Sequence, residues 1–300
     1  MATKIIYHQL KTKKIPFNLT NTDVSEEMVI DAIEHTFSNI AFSTFPFYFE
    51  ASNSYNSIKN FNSGNCVAMA FHIKKIFKEN HNIDCFLIPA TIPHKYQVPG
   101  YLDIAHVAVA IPINKTSFFI ADPAFYFLNP IKLDITNNAP QLFFSKKIYT
   151  KELNTNLLQY NSIDKIYAST KRLERKKTFN KHQSIQGNTY YSECYSTNTP
   201  TDKWSYYLIE VLNPEEAISS FFYSIKNKPF ICTTKIDNNG IPYMDIYITI
   251  KDGTLSYSKN FEDEQTFAID TINPREISEI DRQLSPFFRG NLANYLKLLK

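Results

Sequence analysis

The spacing of apolar residues along the chain changes character twice. Over residues 1–80 it is helical. Ile30, Ile33 and Phe37 recur at one-face spacing within Glu26–Phe37, and Asn21 or Thr22 precedes them as a candidate N-cap. Pro46, in Thr44-Phe45-Pro46-Phe47-Tyr48-Phe49, prevents that helix from continuing. A second helix is expected from near Asn65 to about Asn80, with Val67, Met69, Ala70, Ile73 and Phe77 as its apolar surface.

Beyond residue 81 the pattern becomes that of strands. Cys85–Ile88 is a short apolar run. Ile104–Ile111 and Ser117–Ala121 flank the polar turn Asn114-Lys115-Thr116 and read as a hairpin. Leu142–Tyr149 reads as a further strand. Residues 168–203 are polar, include the basic stretch Lys171–Lys177, and read as a long excursion or inter-domain segment. Order resumes in the last third. Asn213-Pro214-Glu215-Glu216 and Asn273-Pro274-Arg275-Glu276 each set a cap before a first-turn proline. Phe230–Thr234 and Tyr243–Ile250 read as strands between them. No internal repeat is present. The expected division is 1–80, 81–203 and 204–300.

Composition narrows the classes. With 32 basic and 29 acidic residues the net charge is +3, which gives no argument for a nucleic-acid or anionic-membrane partner. The N-terminus lacks the apolar stretch of a signal peptide, and no apolar run approaches the roughly 20 residues that span a bilayer. The expectation is a cytoplasmic protein whose cysteines stay thiols. Those cysteines, at 66, 85, 194 and 232, form no Cys-x-x-Cys pair, so no metal site is expected.

The candidate chemistry lies between residues 64 and 123. Cys66 follows Ser63-Gly64-Asn65 and opens the second helix. A helix N-terminus combines unpaired N–H groups with the positive end of the macrodipole; both stabilise a thiolate and a developing oxyanion. Gly64 permits a close backbone approach just before the sulfur. A nucleophilic cysteine needs a base, and the base needs an orienting group. His106 shares a strand face with the small residues Ala108 and Ala110, and Asp122 ends the next strand. A turn centred near Asn114 sets the two roughly opposite each other on one face.

Other candidates are weaker. His72, six residues after Cys66, points elsewhere and reads as a surface or partly buried helix histidine. His81 and Cys85 have metal-ligand spacing, but Asn82-Ile83-Asp84 between them reads as a turn. Cys194 and Cys232 read as structural. The basic stretch reads as a solvated face, with coenzyme phosphates as the sharper alternative. No glycine-rich phosphate loop exists.

The order and spacing of Cys66, His106 and Asp122 resemble those of arylamine N-acetyltransferases, a branch of the papain-like and transglutaminase-like cysteine enzymes. Asn62-Ser63-Gly64-Asn65-Cys66 stands where that family has Arg-Gly-Gly-x-Cys, and Ala105-His106-Val107-Ala108-Val109 resembles its histidine strand. Ala121-Asp122-Pro123-Ala124-Phe125 stands at its Val-Asp-Val-Gly-Phe-Gly, and Phe45–Glu50 resembles its Pro-Phe-Glu-Asn segment. The first arginine and one glycine of the nucleophile motif are absent, the glycines after the aspartate are replaced, and Asp122-Pro123 resembles the Asp-Pro of transglutaminase-like enzymes. The resemblance implies an α+β fold: a helical N-terminal region, a central antiparallel β-barrel-like region and a C-terminal α/β region. It implies a Cys66–His106–Asp122 triad that moves an acetyl group from acetyl-CoA to a small amine by a ping-pong route. The alternatives on the same residues are a cysteine hydrolase or transamidase, and a non-catalytic binding protein of this fold.

Overall fold

The structure is a computed structural model. It describes residues 12–14, 22–50, 52–90, 106–125, 130–134, 149–153, 157–167, 176–186, 189–195, 204–208, 210–220, 229–236, 242–260 and 264–299.

Strand β1 spans Thr12–Lys14 and helix α1 Glu26–Asn39. Its cap is Ser25, whose Oγ accepts from the Met28 N–H at 3.3 Å, and not Asn21 or Thr22. Asn21 lies outside the described residues. Thr22 is occupied elsewhere: its hydroxyl donates to the Pro112 carbonyl at 2.6 Å, tying the helix entry to the central hairpin. After α1 the chain forms strand β2 (Ala41–Ser43), then the one-turn helix α2 (Phe45–Phe49). Pro46 sits in its first turn, where a missing N–H costs nothing. Helix α3 (Ser54–Phe61) and the two-residue strand β3 (Ser63–Gly64) follow. Their short, polar sequences carry no clear periodicity, and the sequence reading missed them. Helix α4 (Cys66–His81) starts where expected. Asn65 caps it, and Asn82 ends it in the left-handed conformation at φ 53°.

The central hairpin pairs β5 (His106–Pro112) with β6 (Ser117–Ala121). Asn114 Oδ1 holds the turn by accepting from the N–H groups of Thr116 and Ser117 at 2.9 and 2.8 Å. Strand β4 (Phe86–Ala90) pairs with the other edge of β5, and β7 (Ile131–Asp134) with β6. Beyond β4 the sheet continues antiparallel through Trp204–Leu208, Thr189–Tyr195, Lys176–Gln186, Leu157–Tyr167 and Tyr149–Leu153. The nine strands form one open order, and the described pairings close no barrel. Residues 168–203 are therefore not simply an irregular excursion, since two of these strands lie within them. Their polar composition hides the alternation that marks a half-buried strand. Of the expected strand Leu142–Tyr149, only Tyr149 lies inside the described residues.

A second sheet of six strands mixes both ends of the chain. Strands Phe230–Ile236, Pro242–Lys251, Thr254–Lys259 and Gln265–Ala268 form a meander. Its first strand pairs with β2 (Ile231 opposite Ser43), and β2 pairs in parallel with β3 (Phe42 opposite Gly64). The expected helices after Asn213 and Asn273 span Pro214–Ser220 and Pro274–Leu284, and the latter carries a full capping box with Glu276. Leu292–Lys297 adds a final helix.

The described residues pack into two hydrophobic cores. One packs α1 and α4 on β4–β6 through Phe37, Ile73, Phe77, Leu87 and Val109. The other packs the C-terminal helices and α2 on the six-stranded sheet through Phe45, Ile248, Leu255, Leu284 and Phe288. Fully burying each such side chain contributes roughly 1.5–3 kcal/mol. No helix among the described residues is long and apolar enough to cross a membrane.

Candidate active site

Cys66 is the first residue of α4, and its position is fixed from both sides. Upstream, β3 is hydrogen-bonded to β2. Downstream, the Asn65 side chain accepts from the Ala68 N–H at 3.0 Å and from the Ser54 hydroxyl at 2.9 Å. Gly64 lets the backbone through. A Cβ on it would lie 2.5 Å from the Ala68 Cβ and 2.9 Å from the Ser57 Oγ, closer than non-bonded atoms sit.

Helix α4 packs on β5, the strand that begins with His106. Pairing of Val109 with Ala121 and of Ala110 with Ile120 puts the hairpin's centre one residue beyond Asn114. Continued, that register sets Asp122 across from Ala108. His106 and Asp122 are thus diagonal neighbours on one face instead of directly opposed, still within reach of an imidazole. His106 Nε2 lies 2.9 and 2.8 Å from the two Asp122 carboxylate oxygens. His106 is 3% exposed, Asp122 2% and Cys66 9%. Nε2 faces the carboxylate, and Cys66 is close enough to the same ring to act on its charge. The structure thus brings the three sequence-picked residues into one contiguous cluster.

The electrostatics favour a charged imidazole. Burial alone lowers the pKa of His106. The Asp122 carboxylate and then the neighbouring Cys66 oppose that, and lift it from the ordinary 6.5 to about 10. A raised folded-state pKa stabilises the protein fully below the unfolded value and ceases to do so as pH climbs through the folded one. The gap in urea midpoint between the wild type and His106→Gln is therefore expected to be widest near pH 6 and to close toward pH 10. A gap that widened with pH would contradict this pairing.

Next to the cluster lies a cavity of about 160 Å³, lined by Phe42, Met69, Pro123, Phe230, Cys232 and Tyr247 among others. Met69 is one turn along α4 from Cys66, and Pro123 follows Asp122 into a short 3₁₀ turn, Pro123–Phe125. Phe42 and Phe230 stack with ring centres 5.7 Å apart. The sequence reading missed this wall. Only Met69, three residues from Cys66 on the same helix, and Pro123, next to Asp122, carried a signal; Phe42, Phe230 and Tyr247 arrive through pairing between distant strands. Cys232, read as structural, lies in the cavity lining.

The remaining candidates lie apart. His72 faces α1, where its Nε2 is 3.2 Å from His35 Nδ1, and burial, with His35 and Lys75 nearby, pushes it down to about 4. His81 is exposed while Cys85 is buried, pushed up to about 12 chiefly by that burial. The side chain of Cys194 lies outside the described residues, as do positions 171–175 of the basic stretch. Among the described residues no group of three or more His, Cys, Asp or Glu is placed to hold a metal ion.

No protein-family model matches the sequence, and no curated protein matches it. Solved structures do. The arylamine N-acetyltransferase of Salmonella typhimurium superposes with a TM-score of 0.51 at 8% identity, covering 90% of this chain and 88% of that one. The Bacillus cereus enzyme, described as having a Cys-His-Glu catalytic triad, gives 0.49 at 12% identity over 94% and 96% of the two chains. The Mycobacterium abscessus enzyme gives 0.48 at 10% identity over 91% and 87%. The chain has an arylamine N-acetyltransferase-like fold.

Proposed function

We propose that the protein is an acyltransferase that uses Cys66 as nucleophile, His106 as general acid and base, and Asp122 as the group that orients and charges the imidazole. The observation that carries this reading is the buried His106–Asp122 pair set against a cysteine at a helix N-terminus. A cation beside sulfur and a helix N-terminus both favour thiolate, the nucleophilic form. The fold supports acetyl transfer as the reaction class.

In the first half-reaction the thiolate adds to the thioester carbonyl of acetyl-CoA. The tetrahedral oxyanion collapses, the bond to the coenzyme sulfur breaks, and the His106 imidazolium supplies that sulfur's proton. In the second, a small amine attacks the acetyl-Cys66 thioester while neutral His106 removes its proton. The amide leaves, and the thiolate–imidazolium pair is restored. Proton transfer of this kind contributes roughly 10²–10⁴-fold. The apolar cavity beside the cluster suits an amine with an apolar body.

Incubation with acetyl-CoA, followed by intact mass measurement, is expected to show one acetyl group per chain, absent in Cys66→Ala and discharged by an aromatic amine. Rapid alkylation of Cys66 by iodoacetamide with no acetyl adduct would instead support a hydrolase or transamidase on the same residues. An inert Cys66 would support a binding role.

A further inference from the structure

Asn65 does more than cap α4. Its Oδ1 is committed twice, to the Ala68 N–H and to the Ser54 hydroxyl. Because both partners donate, the acceptor atom is the oxygen, and the orientation of the amide is fixed. Nδ2 is thereby set at the same helix end as the N–H groups of Cys66 and Val67, which have no acceptor within the helix. Asn65 is 3% exposed, and its Nδ2 has no hydrogen-bond partner. A buried amide donor without an acceptor is costly, and such groups are rare. This one belongs to the residue next to the nucleophile.

We propose that Asn65 Nδ2 is a catalytic hydrogen-bond donor to the oxyanion that forms when Cys66 attacks an acyl carbonyl. The assignment rests on the acyl-transfer reading above. The donor is idle in the ground state and gains its acceptor when the carbonyl oxygen becomes anionic, so its contribution is specific to the transition state. Ser54 and Ala68 hold the amide in its orientation beforehand.

Two reactions of the same sulfur separate this role from capping. Alkylation by iodoacetamide displaces iodide at a saturated carbon, and no oxygen becomes anionic. Acylation by p-nitrophenyl acetate forms an oxyanion and releases p-nitrophenolate. Both need the thiolate, so the ratio of their rates cancels any change in thiolate fraction. Asn65→Ser and Asn65→Asp each keep an oxygen able to cap Ala68 and remove the amide donor. The acylation-to-alkylation ratio is expected to fall about 10²–10³-fold in both, the usual cost of losing one oxyanion donor. A ratio equal to the wild type's, with both rates falling together, would make Asn65 a cap only and overturn the assignment. So would an equal fall in Ser63→Ala, which removes another unpartnered buried polar atom of this segment. A wild-type protein that is alkylated yet never acylated would defeat the acyl-transfer reading, and this assignment with it, before any variant is made.

Discussion

Asp122→Ala is expected to lower acyl transfer by about four orders of magnitude and to cost about 3–5 kcal/mol of stability. The first figure is what loss of an orienting carboxylate costs in a Ser-His-Asp triad. The second is typical of removing one partner from a buried ion pair. Both follow from one arrangement. The carboxylate is 2% exposed and contacts His106 Nε2 through both oxygens. Without it the ring loses its rotational anchor and its counter-charge, and burial then drives it neutral. Asp122→Asn separates these contributions, because an amide oxygen still accepts from Nε2 but carries no charge. Asn is expected to recover most of the stability and little of the rate. The measurements are urea unfolding, the rate of p-nitrophenolate release and the rate of iodoacetamide alkylation. Wild-type rates in Asp122→Ala would reduce the pair to a structural ion pair and remove the base from the proposed mechanism.

Gly64→Ala is the second large effect. The added methyl meets the Ala68 Cβ at 2.5 Å and the Ser57 Oγ at 2.9 Å. Ala68 sits on the first turn of the helix that Cys66 opens, and Ser57 is buried and donates to the Ser63 carbonyl. The methyl therefore cannot be absorbed by a side-chain rotation; either α3 or the start of α4 must move. Overpacking of this kind costs roughly 1–3 kcal/mol. The larger consequence is geometric, since a displacement of about 1 Å at reacting groups lowers rates by about 10²-fold. Acylation is expected to fall by about that factor, with the melting temperature lowered. The companion substitution Gly253→Ala provides the contrast. That position has φ 71° but nothing within 4 Å of a new Cβ, so only stability is expected to change there.

The pieces of the site that were legible in the sequence are those whose neighbours lie nearby in the chain. Helix α4 announced itself by Val67, Ala70, Ile73 and Phe77, and the hairpin by two apolar runs about a polar turn. Those two elements were enough to single out Cys66, His106 and Asp122. The turn's centre was off by one residue, and the pairing therefore by two, because Ser117, read only as the start of a strand, also closes the turn through Asn114. The cap of α1 was misplaced because Asn21, Thr22 and Ser25 all have capping side chains, and local sequence does not say that Thr22 will be drawn to Pro112. Strands in the polar 168–203 segment escaped notice for a different reason: lysine, asparagine and serine at successive positions leave no period to read. Least legible was the aromatic wall, since Phe42 and Phe230 are far apart in sequence and meet only through β2.

That pairing has a consequence for how the protein matures. The strand just before Cys66, Ser63–Gly64, leans on Ala41–Ser43, whose other edge is filled by Phe230–Ile236. During translation the first two segments leave the ribosome long before the third, so the early sheet waits with one side open. A nascent chain halted before residue 230 lacks both that neighbour and the Phe230 wall.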